Sequence, residues 1–156
     1  MAKAGIVFVA ALAVVASAAA QPERVSPGKF VAVINGQVLN QQHDRLYNEL
    51  VPQQQALVSR DLFDNCMGKS FRTSNIPSGT RVSRWRTIDV LHVTITIPGT
   101  RARARSTVVT VKLTLTNGTS TQQSNDTYHL FVVRGHWRWM LDVTGMRAYK
   151  AKRCPR

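Results

Sequence analysis

Between Thr80 and Asp142 apolar and polar residues alternate with a period near two, in four runs divided by turn-forming residues. That pattern predicts an antiparallel meander. In the first run Asp89, Leu91, Val93, Ile95 and Ile97 make a largely apolar row, and Arg84, Arg86, His92, Thr94 and Thr96 a more polar one, as in a half-buried strand. Ile97-Pro98-Gly99-Thr100 turns it into a second run, where Thr107, Val109, Val111, Leu113 and Leu115 alternate with Val108, Thr110, Lys112, Thr114 and Thr116. Asn117-Gly118 is a hairpin signal, because both residues accept the positive φ of tight turns. A third run covers Tyr128 to Val133. After Arg134-Gly135 the fourth places Trp137, Trp139 and Leu141 on one face and Arg138, Met140 and Asp142 on the other. One core of Trp137, Trp139, Leu113, Val111, Phe131 and Phe63 is expected beneath this sheet.

Ahead of the sheet the apolar spacing becomes helical. Ser26-Pro27 offers an N-cap and a favoured first residue to a helix carrying Phe30, Val33, Ile34, Val38 and Leu39. Gly36 weakens its middle by up to ~1 kcal/mol relative to alanine. After a joint at Asn40 to His43, a short second helix carries Leu46, Tyr47, Leu50 and Val51 and is expected to stop at Pro52. Ser59 begins a third, with Asp61 in its first turn, Leu62, Phe63 and Cys66 inward, and Gly68 as its expected end. Ser74 to Gly79 is the loop to the sheet. The fold class is therefore α+β, with N-terminal helices packed on one face of a curved antiparallel sheet.

The amino terminus stands apart from this design. Lys3, the apolar run Ile6 to Val15 and the small residues Ala16-Ser17-Ala18-Ala19-Ala20 have the form of a secretory signal peptide. The run is shorter than the roughly 20 residues a spanning helix needs. The expected organisation is a signal peptide at 1–20, a leader at 21–29, and a single domain at 30–156 with a basic C-terminal tail, solvated beyond Gly145. The chain is read as secreted or extracytoplasmic and bacterial in origin, a setting in which Cys66 and Cys154 are expected to form a disulfide.

The chain holds 21 Lys and Arg against 8 Asp and Glu, a formal charge of +13, of which +12 remains once Lys3 is removed. In an exported protein that excess points away from nucleic acid and towards an anionic envelope polymer or lipid surface. Arg101-Ala102-Arg103-Ala104-Arg105 would set three guanidinium groups on one strand face about 7 Å apart, a comb able to grip anions bidentately. The same pattern suits a solvated hairpin whose like charges discourage edge-to-edge pairing. The basic tail residues Arg147, Lys150, Lys152, Arg153 and Arg156 are read as solvated.

Leu46-Tyr47-Asn48-Glu49-Leu50-Val51-Pro52, then Val58-Ser59-Arg60-Asp61-Leu62-Phe63, then the closing Gly135-His136-Trp137-Arg138-Trp139 make the span from about Phe30 to Asp142 resemble the nuclear transport factor 2-like superfamily, which includes ketosteroid-isomerase-like and polyketide-cyclase-like proteins. The resemblance implies a cone-shaped fold around a pocket for a small apolar ligand, lined by residues such as Trp139, Trp137 and Phe63, and a homodimer formed through the sheet. It implies no single activity, because the fold hosts both enzymes and non-catalytic binders.

An exported non-catalytic binding module is the favoured reading. The alternative is an isomerase or dehydratase using Asp89 as base with Tyr47, His43 or His129 as partner. Asp89 also suits a strand-end carboxylate paired with Arg84 or Arg86, and Tyr47 a core ring. The four histidines lack metal-ligand spacing, and the chain has no GxSxG, HExxH or glycine-rich phosphate loop, so no metal and no cofactor are expected.

Overall fold

A computed structural model describes residues 25–74 and 76–155. The expected signal peptide and residues 21–24 of the leader lie outside the described residues. No helix among the described residues is long and apolar enough to cross a membrane.

Helix α1 spans Pro27–Leu39 and opens with Pro27 at its first position, while the Ser26 hydroxyl accepts from the Lys29 amide at 3.3 Å. Phe30, Val31, Ile34 and Gln37 turn inward at helical spacing. At Gly28 this helix lies close against the sheet: an added Cβ would overlap the Thr87 side chain and sit 3.1 Å from the Trp85 ring. Helix α2 is His43–Asn48. The chain then runs extended through Leu50 and Val51, so the expected helix does not reach them. Leu50 bridges Trp139 in parallel, Val51 donates its amide to the Trp139 carbonyl at 2.9 Å, and Trp139 donates to Glu49 O at 2.9 Å. Pro52 therefore opens helix α3, Pro52–Gln55, and does not simply stop α2. Its fixed φ and missing N–H suit the first turn of a helix as well as the end of one.

Helix α4, Arg60–Thr73, is capped by Ser59 Oγ, which accepts from the Leu62 amide at 3.4 Å. It passes through Gly68, the expected terminus, for five more residues. Gly68 is buried with His43 Cε1 3.5 Å from where a Cβ would stand. A Cβ there would make only ordinary contacts and the residue is helix interior rather than a left-handed cap, so nothing in the structure requires glycine at this position.

Four strands follow, β1 (Arg81–Thr96), β2 (Arg103–Thr116), β3 (Thr121–Val133) and β4 (His136–Trp139), in the order β1-β2-β3-β4 with every pairing antiparallel. The sheet is open. Strand β3 begins well before the apolar run at Tyr128, because Thr121 to Thr127 pair with Thr116 to Thr110 despite their polarity. Val109, Val111 and Leu113 of β2 and Leu130 of β3 turn to the helices and bury against Val31, Ile34, Leu46, Leu50 and Phe63.

Strand β1 departs from simple alternation. Its register with β2 shifts between Val82 and Arg84 and again between Thr87 and Asp89, leaving Ser83 and Ile88 as extra residues. Each shift inverts the faces. Trp85, Thr87, Val90 and His92 lie opposite Leu113, Val111, Val109 and Thr107 on the helix side, while Arg84, Arg86, Asp89, Leu91, Val93 and Ile95 share the outer side. The row of apolar odd positions therefore stays out of the core between helices and sheet: Leu91 is 53% exposed, and only its far end, Ile95 and Ile97, is covered, in a second, smaller cluster. Phe131 is also displaced from the expected single core. It sits opposite Arg138, on the other face from Leu130, and joins Val51 and Ile97 in that second cluster.

The tail is not wholly solvated. Val143–Lys150 forms helix α5, capped by Asp142, whose Oδ1 accepts from the Gly145 amide at 2.6 Å. Met146 and Tyr149 are buried, and the Tyr149 ring stacks on Phe63 with centroids 6.0 Å apart. Arg147, Lys150, Lys152 and Arg153 remain exposed. The Cys66–Cys154 disulfide forms, with Cα atoms 5.0 Å apart, and ties α4 to the segment after α5.

Candidate functional site

The space between helices and sheet is occupied by the protein's own rings. Phe63 lies at the centre, with Tyr47 edge-on at 5.6 Å, Trp139 tilted at 6.4 Å and Tyr149 stacked beside it. Trp139 is also held by its indole N–H, which donates to Leu46 O at 3.0 Å, and Trp137 Nε1 donates to Val25 O at 2.6 Å. Strand β4 carries both tryptophans on the helix side because Trp139 lies opposite Leu130 and Trp137 opposite Val132.

The candidate acid and base residues do not converge. Asp89 is exposed on the outer face, where its Oδ1 accepts from the Val90 amide at 2.8 Å. Tyr47 donates to Gln55 O at 3.0 Å and to Val58 O at 2.8 Å, and Arg60 stacks on its ring at 4.7 Å. That hydroxyl fastens α2 to the α3–α4 turn. His129 is on the outer face of β3, with Nδ1 3.2 Å from the buried Ser106 hydroxyl, and burial pushes its pKa down. His43 lies at the start of α2.

His43 borders two hollows. One, of about 100 Å³, is lined by Val38, His43, Met67, Phe71 and Ile76 and is the more apolar. The other, of about 380 Å³, is polar and lined by Gln41, Gln42, His43, Asp44, Arg45 and Asp64. In it the Asp64 pKa is raised, by desolvation first and by Asp44 second, and its buried Oδ1 has no hydrogen-bond partner. Asp44 is paired with Arg60 at 2.8 Å. Sequence reading missed Asp64, which sits among polar residues at a helical position that nothing local distinguishes. A further cleft of about 290 Å³ lies between the α4–β1 loop and the β2–β3 hairpin, lined by Ile76, Pro77, Leu115, Asn117 and Gln122 among others. Among the described residues no group of three or more His, Cys, Asp or Glu is placed to hold a metal.

The arginine comb is only partly on a strand: β2 begins at Arg103, and Arg101 stands in the bend before it. Arg101, Arg103 and Arg105 are all exposed, and Arg103 and Arg105 lie opposite Thr96 and Thr94 of β1. Ala102 and Ala104, between them, turn the other way and pack against the second cluster. The alternation thus applies beneath Arg103 and Arg105, the two that lie on the strand. Among the described residues the ion pairs are Arg60–Asp44 and Arg138–Glu49, so none of the three has a carboxylate partner.

No protein-family model matches the chain, and no curated protein matches it.

Proposed function

We propose that this chain is an exported, non-catalytic binding module of the cell envelope with a nuclear transport factor 2-like, cone-shaped architecture. The order of helices before an antiparallel sheet and the tryptophan-bearing last strand packed on those helices support that architecture. The observation that carries the function is the comb: three exposed arginines at and just before the start of β2, free of carboxylates among the described residues, with Ala102 and Ala104 packed inward between them. Guanidinium groups so spaced suit successive anionic groups of an envelope polymer. The ring cluster around Phe63 supports the same reading, because it fills the interior that a small-molecule enzyme of this architecture would keep open.

The test is retention of the mature protein on isolated cell wall at several salt concentrations. Replacing Arg101, Arg103 and Arg105 together by serine is expected to weaken retention and flatten its salt dependence, because fewer counterions are exchanged. Stability should change by less than about 1 kcal/mol, as exposed charges contribute little. Equal retention of wild type and variant removes the comb as the binding surface.

A further inference from the structure

A second cationic surface is assembled by a backbone irregularity. In a regular strand Arg81 and Arg84 would face opposite ways, since faces alternate residue by residue. The extra residue Ser83 cancels that alternation. Arg81 comes opposite Thr116, Arg84 opposite Thr114 and Arg86 opposite Lys112, so all four basic side chains share the outer face. Ser83 is held in place by its hydroxyl, which donates to Thr114 O at 3.0 Å. Arg84, Arg86 and Lys112 line one open cleft of about 290 Å³ with Thr114 and Gln123.

Among the described residues no carboxylate pairs with the charges in this cleft. Arg86 and Lys112 are direct cross-strand neighbours, an arrangement that destabilises a sheet when nothing neutralises it. The next acid along the outer face, Asp89, lies beyond the second bulge, and its Oδ1 is taken by the Val90 amide. No ion pair among the described residues involves Arg81, Arg84, Arg86 or Lys112. A sequence that keeps like charges in register and spends a bulge to add another has a surface complementary to an external polyanion.

We propose that the outer face of the β1–β2 hairpin, centred on Arg84, Arg86 and Lys112, is a binding site for an extended acidic polysaccharide. Arg84 and Arg86 stand about 7 Å apart along β1, and Lys112 is one strand away, about 4.8 Å, so the cations offer a chain of acidic sugars several contact points. Thr114, Gln123 and Asn125 on the adjoining strands supply hydroxyl and amide groups for sugar hydroxyls, which a lipid headgroup layer does not present in that density. The site is separate from the comb: it lies on the opposite local face of β2 and about 30 Å along it, nine residues from Arg103 to Lys112. It shares with the binding-module reading the exported setting and the anionic class of ligand, but none of the comb's residues.

The experiment measures binding of the disulfide-bonded mature protein to polygalacturonate over a range of salt, with neutral dextran and phosphatidylglycerol vesicles as parallel probes. The variant R84S/R86S/K112S is expected to lose about tenfold or more in affinity for polygalacturonate at low salt and to show a shallower salt dependence, while R101S/R103S/R105S retains the binding this face provides. R84Q/R86Q, which keeps side-chain length, gives a second reading should the triple variant fold poorly, and a loss there also supports the site. Wild-type binding that survives both patch variants overturns the proposal, as does no binding to polygalacturonate. Loss in the comb variant alone overturns this site and leaves the comb standing. Patch-dependent capture by the vesicles but not by polygalacturonate assigns the face to a lipid surface and overturns it as well.

Discussion

Gln54 shows how much one side chain holds together. It is fully buried, yet its Nε2 donates to Pro98 O at 3.2 Å and Leu141 O at 3.0 Å, and its Oε1 accepts from the Leu141 amide at 2.7 Å. Three segments far apart in sequence meet on it: α3, the β1–β2 turn and the entry to α5. Replacing it by leucine keeps the volume but leaves a buried amide and carbonyls unpaired, at about 1 to 3 kcal/mol for each such group. Gln54→Leu is expected to lower the unfolding free energy in urea by about 3 kcal/mol or more, and a loss under about 0.5 kcal/mol would show that water replaces the bonds. Nothing in Gln53-Gln54-Gln55 marks the middle residue, since the partners that make it matter arrive only on folding.

At the scale of elements, α5 and β1 are the informative pair. Helix α5 docks through Met146 and Tyr149, and burial, with Asp64 adding to it, pushes the Tyr149 pKa up to about 12. Tyr128, buried and near Asp126, is likewise pushed up to about 12. The folded state resists ionising these phenols whereas the unfolded chain ionises them near 10, so their contribution to stability is present below pH 10 and lost as pH rises towards 12. Stability should fall across that window, and Tyr149→Phe, which keeps the ring stack on Phe63, should make the fall shallower. An unchanged slope in urea titrations from pH 9 to 12 would mean that α5 undocks before the phenol titrates. The apolar residues of α5 were readable as residues, but one short helical turn of them was outweighed by the surrounding charge. In β1 the period-2 rows were legible on each side of Ile88, whereas the shift that reverses them was not, because a bulge is defined against the partner strand.

For the molecule as a whole, the disulfide and the charge act in opposite directions. A chain with an excess of 13 positive charges repels itself when compact, and the 88-residue separation closed by Cys66 and Cys154 offsets this by limiting the unfolded ensemble. Closing a loop of that length is worth about 4 to 5 kcal/mol in the chain-entropy picture. Replacing both cysteines by serine is therefore expected to cost about 4 kcal/mol in urea unfolding, with the loss growing as ionic strength falls. A cost independent of salt and under about 1 kcal/mol would show that the oxidised pair contributes little to this fold.

Sequence by itself determined what depends on near neighbours. The caps at Ser26 and Ser59, the turns at Pro98-Gly99 and Asn117-Gly118, the alternation of β2 and the pairing of the only two cysteines all follow from local spacing and composition. Tertiary structure alone decided what depends on a distant partner: that Leu50 and Val51 leave the helix to meet Trp139, that Phe131 faces away from Leu130's core, and that Asp89 and Tyr47 stand apart. It also decided that Arg81, Arg84, Arg86 and Lys112 share one face. Strand register is a property of two strands together, and one extra residue in one of them reverses every side chain beyond it.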